Sequence, residues 1–235
     1  MNIVLLMMGG SGTRFGADIP KQYILVKEKP IFSFILKGYQ DCDFVDHIVV
    51  VSHKDWIDYV EEWRDKLGID KLTVITSGGG TRSESVLNGL RAMEGFAQDE
   101  DVVLIHDATH PYVDKEGTKQ VIEGVTKYGG ATLGQCQYDT VYQMDEETKM
   151  LQRVVPRRQI VSGASPEAFK FKDIHKIYTE ADEETFEAMT SAGAIALANG
   201  IDMLVVPANV LNLKITYKND MDVFLQMVDE YFPEQ

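Results

Sequence analysis

Residues 3–23 read IVLLMMGGSGTRFGADIPKQY, and the order of features in that stretch decides the fold. Ile3–Met8 is an unbroken apolar run, short enough for a strand and ended by glycine. Gly9, Gly10 and Gly12 then make a turn in which the backbone passes close to a ligand and aims N–H groups at it. A helical stretch near Ile31–Tyr39 follows. Strand, glycine turn and helix in that order open a parallel α/β unit, with an anion-binding turn after its first strand.

The alternation continues along the chain. His47–Ser52 (HIVVVS), Leu72–Thr76 and Asp101–His106 (DVVLIH) read as further strands. Between them, Trp56–Leu67 puts Trp56, Tyr59, Val60, Trp63 and Leu67 on one helical face. Thr81 and Glu84 form a capping box that opens a helix through about Met93, and Lys115–Tyr128 is another helix. Strand interiors such as VVV and VVLI are apolar throughout, as they are when helices cover both faces of a sheet. The expected architecture is a doubly wound, mainly parallel, Rossmann-like α/β sheet.

The pattern loosens after residue 130. Leu133–Met144 and Leu151–Val155 read as an extended pair around the acidic turn Asp145–Lys149, a β-arm near 133–160 that projects from the domain. Helices are expected at Asp173–Tyr178, Glu183–Asn199 and Asp220–Tyr231, with a strand at Met203–Val206. No repeat or linker divides the chain, so residues 1–235 read as one domain with an arm.

Net charge is −14, which repels phosphate backbones at long range and argues against a nucleic-acid partner. No apolar run approaches the roughly 20 residues of a membrane helix, so no membrane partner is expected. The first residues lack the basic segment and cleavage site of a signal peptide, which favours the cytoplasm. Cys42 and Cys136 show neither metal spacing nor a disulfide framework.

The glycine turn is neither GxxxxGK[ST] nor a clean dinucleotide fingerprint. Arg14 and Lys21 distinguish it, with Pro20 stiffening the chain so that Lys21 can be aimed back at the turn. Two cations converging on a triphosphate stabilise charge on its α-phosphate and on a departing pyrophosphate. The bland alternative is a glycine turn with two solvated basic residues. HDATHP (106–111) closes the fourth strand and leaves Asp107 where open α/β sheets bind ligands. A single carboxylate there suits Mg²⁺, which takes its other ligands from phosphate and water; the bland reading is a turn or cap aspartate. His106 is expected to pack, and His110 either touches a phosphate or is a loop histidine.

The ordered motifs MGGSGTR, PKQY, GGGTRSESVLNGL, HDATHP, YDTV, PRRQIVSGASPEAF and NLKIT run nearly end to end. Together they resemble the cytidylyltransferases that make CDP-methylerythritol or CDP-ribitol. The resemblance implies that Met8, Gly9, Gly10, Ser11, Gly12 and Thr13 wrap CTP, and that Arg14 and Lys21 contact its phosphates. It implies cytosine and ribose contacts from Gly79, Gly80, Arg82 and Ser85, and Mg²⁺ on Asp107. Lys214 would return to the phosphates. Asp139, Thr140 and Arg157, on the arm, would meet a polyol phosphate across a homodimer interface. His110 and Ser165 fall on the acceptor side.

Departures from that pattern bear on the acceptor. His110 stands where the family has Arg, Ser165-Pro166-Glu167 where it has Thr-Pro-Gln, and Thr190-Ser191 where it has Thr-Asp. Leu211 replaces an Asp of the methylerythritol branch. The x-G-G-x-G-T-R loop, and Tyr142 where that branch has Lys, favour D-ribitol 5-phosphate as acceptor. The alternatives are 2-C-methyl-D-erythritol 4-phosphate, and a nucleotide-binding homologue without turnover.

Overall fold

The structure is a computed structural model and describes residues 1–10, 19–188 and 191–231. The chain begins with β1 (Asn2–Met8), the small pair β2 (Leu25–Val26) and β3 (Lys29–Pro30), and α1 (Ile31–Gln40). Then come β4 (His47–Ser52), α2 (Ile57–Leu67), β5 (Leu72–Ser77), α3 (Arg82–Met93), β6 (Val102–Asp107) and α4 (Lys115–Tyr128). After these follow β7 (Gly129–Cys136), β8 (Val141–Met144), β9 (Leu151–Val155) and β10 (Val161–Lys170). Helices α5 (Phe171–Glu180), α6 (Glu183–Ala188) and α7 (Ala192–Ala198), strand β11 (Asp202–Pro207) and helix α8 (Lys218–Tyr231) complete it.

A seven-stranded sheet in the order β11-β7-β10-β6-β1-β4-β5 forms the frame. Every neighbouring pair is parallel except those made by β10, which runs antiparallel to both β6 and β7. The expected doubly wound α/β sheet is the fold.

Strand β1 shows why an all-apolar run suits its centre. Val4, Leu6 and Met8 face a core shared with Phe32, Ile35, Val60 and Val121 of α1, α2 and α4. Ile3, Leu5 and Met7 face the opposite core, with Leu90, Ile174 and Ile195 of α3, α5 and α7. Side chains alternate across a strand, so a strand covered on both faces needs apolar residues at every position. A third cluster joins Ile31 and Phe34 of α1 to Phe224 and Val228 of α8.

Three expectations need correction. Leu133–Met144 is not one strand: β7 ends at Cys136 inside the main sheet, and only β8 and β9 form the separate hairpin. Leu133 is buried against α4 and cannot belong to a projecting arm. Strand β10 was not foreseen, because glycine, proline and a carboxylate interrupt its alternation; its register with β7 shifts between Gly163 and Glu167. Glu183–Asn199 is two helices, and Ser191 caps the second by accepting the Ala194 N–H at 3.0 Å.

Candidate active site

The chain runs from β1 outward to β4 and β5, then returns to β6 on the other flank of β1. A reversal of that kind opens a crevice at the carboxyl ends of the strands. Register places Met7 opposite Asp107 and Met8 opposite Ser52, so these residues meet at the crevice.

The PKQY segment clamps the end of β1. Gln22 Nε2 donates to the carbonyls of Met8 (2.7 Å) and Gly10 (2.8 Å). The Tyr23 hydroxyl lies 3.1 Å from the Met8 carbonyl and 2.9 Å from Ser52 Oγ. Its ring stacks on Trp56 at a centroid distance of 4.4 Å. This clamp holds Gly9 and Gly10 at the mouth of the crevice and carries the buried Lys21 into it. Ser11, Gly12, Thr13 and Arg14 lie outside the described residues.

The second glycine turn is built by the start of α3. Thr81 Oγ1 accepts the Glu84 N–H, and Glu84 Oε2 accepts the N–H groups of Gly80 (2.5 Å) and Thr81 (3.1 Å). The expected capping box is present. Ser85 Oγ accepts the Gly79 N–H at 3.0 Å and donates to the Thr81 carbonyl at 2.8 Å. A Cβ on Gly79 would stand 2.4 Å from Glu84 Cβ, so glycine is required there.

These elements enclose a cleft of about 520 Å³, in the range of small-molecule sites. Met8, Gly9, Gly10, Lys21, Gly79, Gly80, Arg82, Ser85, Asp107 and Lys214 all line it. Gln22, His53 and Thr109 line it too without having been assigned a role from sequence, as does Thr81, read there only as a helix cap. Gln22 sat within a motif already quoted. Thr109 lies within HDATHP, whereas His53 carries no signal beyond its position after a strand.

Asp107 is the electrostatic centre. Arg82 Nη2 is 3.0 Å from its Oδ1 and Lys214 Nζ is 3.2 Å from its Oδ2. Burial pushes this carboxyl up, but Arg82 and Lys214 outweigh it and hold the group down at about 2. Asp107 is therefore ionised at any physiological pH. Lys214 reaches it because the Ile215 N–H donates to the Thr109 carbonyl at 2.8 Å, pinning the NLKIT segment beside β6. Glu167, on β10, accepts the N–H groups of Ala192 (3.1 Å) and Gly193 (3.0 Å) at the start of α7. Burial raises its pKa despite nearby Arg82.

Among the described residues, no group of three or more His, Cys, Asp or Glu side chains is placed to hold a metal. An ionised single carboxylate facing a cleft with room for phosphate nevertheless suits a hard divalent cation, which takes oxygen ligands from phosphate and water.

Two histidines beside Asp107, His106 and His110, are held neutral. Burial lowers the pKa of His106 to about 4, and its Nδ1 lies 2.6 Å from the Tyr39 hydroxyl. Burial, with His106 and Lys214 close by, lowers His110 to about 3. His110 and Ser165 line a separate small cavity with Asn212 rather than the large cleft. Ser165 Oγ accepts the Asp107 N–H at 3.3 Å. Asp139, Thr140 and Arg157 are exposed and do not line the cleft of their own chain. Arg157 Nη1 instead donates to the Tyr138 carbonyl at 2.5 Å.

The family model described as 2-C-methyl-D-erythritol 4-phosphate cytidylyltransferase matches residues 2–228. The chain is 29% identical to the 2-C-methyl-D-erythritol 4-phosphate cytidylyltransferase of Thermotoga neapolitana, over 98% of both chains. It is 30% identical to the ribitol-5-phosphate cytidylyltransferase of Vibrio parahaemolyticus, over 97% of this chain and 96% of the relative. A crystal structure of 4-diphosphocytidyl-2C-methyl-D-erythritol synthase superimposes with a TM-score of 0.79, at 22% identity and covering 97% and 98% of the two chains. The Francisella tularensis 2-C-methyl-D-erythritol 4-phosphate cytidylyltransferase does so with 0.76, at 24% identity and covering 99% and 100%. Both structures share the fold.

Proposed function

The chain belongs to the 2-C-methyl-D-erythritol 4-phosphate cytidylyltransferase family and is a cytidylyltransferase, and from that premise we propose that it transfers CMP from CTP to D-ribitol 5-phosphate. The observation that carries the nucleotide half is the meeting of Gly9 and Gly10, the Gly79–Gly80 turn, Lys21, Asp107 and Lys214 in one cleft. The acceptor half rests on the MGGSGTR loop and on Tyr142, and it is compatible with the ribitol-5-phosphate relatives.

A phosphate oxygen of the acceptor attacks the α-phosphorus of CTP in line. One P–O bond forms, the α–β P–O bond breaks, and pyrophosphate leaves with the electron pair. The acceptor phosphate is already ionised near pH 7, so no strong base is needed. The chain's contribution is positioning and positive charge. Backbone N–H groups at Gly9 and Gly10 cradle phosphate, and Gly79 and Gly80 border the base and ribose. Lys21, Lys214 and Arg14 neutralise charge on the α-phosphate and the leaving group. Asp107 would hold Mg²⁺, which when bound supplies further charge neutralisation. The neutral rings of His106 and His110 need take no proton.

Asp139, Thr140 and Arg157 would reach the acceptor from a second copy of the chain. In support, the hairpin exposes Met150 (68%), Leu151 (63%) and Val154 (61%), and Tyr138 just before it is 80% exposed. A two-stranded ribbon of that kind gains stability when a partner covers it. No helix among the described residues is long and apolar enough to cross a membrane; a cytoplasmic location is part of the same proposal.

The test is pyrophosphate release with CTP and Mg²⁺, run separately with D-ribitol 5-phosphate and 2-C-methyl-D-erythritol 4-phosphate. A kcat/KM at least a hundredfold higher for the ribitol acceptor is expected. The opposite preference overturns the choice of acceptor. Silence with both, with CTP still bound, overturns both acceptors.

A further inference from the structure

Both carboxylate oxygens of Asp107 are engaged by cations of this chain, Arg82 at 3.0 Å and Lys214 at 3.2 Å. The two cations are held differently. Arg82 is the first residue of α3 and also sits near Tyr178 and Glu167. Lys214 lies on an irregular segment, and its side chain is 47% exposed against 22% for Asp107. Its backbone is anchored through Ile215 and Asn212, the latter donating to the Gly163 carbonyl at 3.2 Å. The ammonium rides on a flexible four-carbon stem and can swing while the backbone stays. Lys214 and Asp107 face the same cleft as the glycine turns. An ammonium and a divalent cation at one carboxylate repel each other strongly where water is partly excluded.

We propose that Lys214 and a divalent cation compete for Asp107, and that the triphosphate of the bound nucleotide settles the competition by drawing the ammonium onto its own oxygens. The inference rests on the nucleotide reading above. Lys214 then has two tasks. Without nucleotide it guards Asp107 against metal; with nucleotide it moves to the phosphates and releases the carboxylate. Metal and nucleotide must therefore raise each other's affinity by the same factor.

The test is Mn²⁺ binding, followed by the paramagnetic resonance of the free ion, with and without α,β-methylene CTP. The Mn²⁺–analogue complex in free solution is measured separately and subtracted. Without nucleotide, Lys214→Met is expected to bind Mn²⁺ about tenfold more tightly than the unaltered protein, the effect of removing one partly exposed competing charge. Lys214→Arg, which keeps the charge, is expected to stay at the unaltered level. Adding Asp107→Asn to Lys214→Met is expected to erase the gain. Equal Mn²⁺ affinity for Lys214→Met and the unaltered protein overturns the competition, even if the analogue binds normally. A gain that survives Asp107→Asn also overturns it, because the metal then lies elsewhere. Failure of the unaltered protein to bind the analogue is a separate result that overturns the nucleotide reading.

Discussion

Lys21 is buried at the rim of the cleft, behind a clamp made by its own neighbours Gln22 and Tyr23. Its charge is thereby preorganised, and a preorganised charge on a leaving group is worth more than a mobile one. Lys21→Ala is expected to lower kcat by about 10²–10³. Far-UV circular dichroism should be unchanged, since the clamp uses Gln22 and Tyr23. A near-normal kcat removes Lys21 from the mechanism. Asp107 makes a second prediction, through acid stability. Its folded pKa of about 2 lies below the ordinary value, so between the two the unfolded chain binds more protons. The stabilisation is complete above the ordinary carboxylate pKa and is lost as pH falls through the folded one. It is on the order of 2 kcal/mol. Asp107→Asn should therefore flatten the fall in urea midpoint below about pH 4. A slope identical to that of the unaltered chain means that the ion pairs contribute nothing.

Helix α3 shows how an element serves both packing and site. Its amino end builds the second glycine turn and supplies Arg82, so its seating on the sheet sets where both lie. Gly89 permits that seating. A Cβ there would fall 2.4 Å from Leu5 Cδ1 and 2.8 Å from Val51 Cγ2, both in the core of the parallel sheet. Gly89→Ala should cost about 1–3 kcal/mol in urea unfolding through overpacking. It should also weaken CTP binding, because α3 must lift off β1. An unchanged midpoint means the core side chains absorb the methyl group. The capping box that opens this helix was legible in Thr81 and Glu84, because a cap depends on residues three apart. Strand β10 was not, since Gly163, Pro166 and Glu167 obscure its periodicity and its partners β6 and β7 are remote in sequence.

At the scale of the whole molecule, the hairpin β8–β9 is the segment through which the proposed second copy would act. Asp139, Thr140 and Arg157 stand apart from their own cleft, at the base of a ribbon with exposed apolar residues. If a second copy covers it, Val154→Asp should shift the chain toward monomer in sedimentation velocity. The KM for the polyol phosphate should rise about tenfold or more, with the KM for CTP little changed; each 1.4 kcal/mol of lost binding is a factor of ten. A variant that remains dimeric with an unaltered acceptor KM places the interface elsewhere.

The parallel sheet, Gly9 and Gly10 at the end of β1, and Asp107 at the end of β6 could all be read from the chain alone. Each is local: apolar runs of strand length, glycines where backbone must approach a ligand, and a carboxylate at a strand terminus. Lys214 beside Asp107 was implied only by resemblance to a family, because the contact joins residues 107 apart and depends on where the NLKIT segment packs. Tertiary structure alone decided that Leu133 belongs to the sheet, that β10 enters it antiparallel, and that His110 is a neutral, half-buried ring. Those outcomes depend on which distant elements cover a residue and exclude water from it, and burial of that kind is a property of the packed chain rather than of any short stretch.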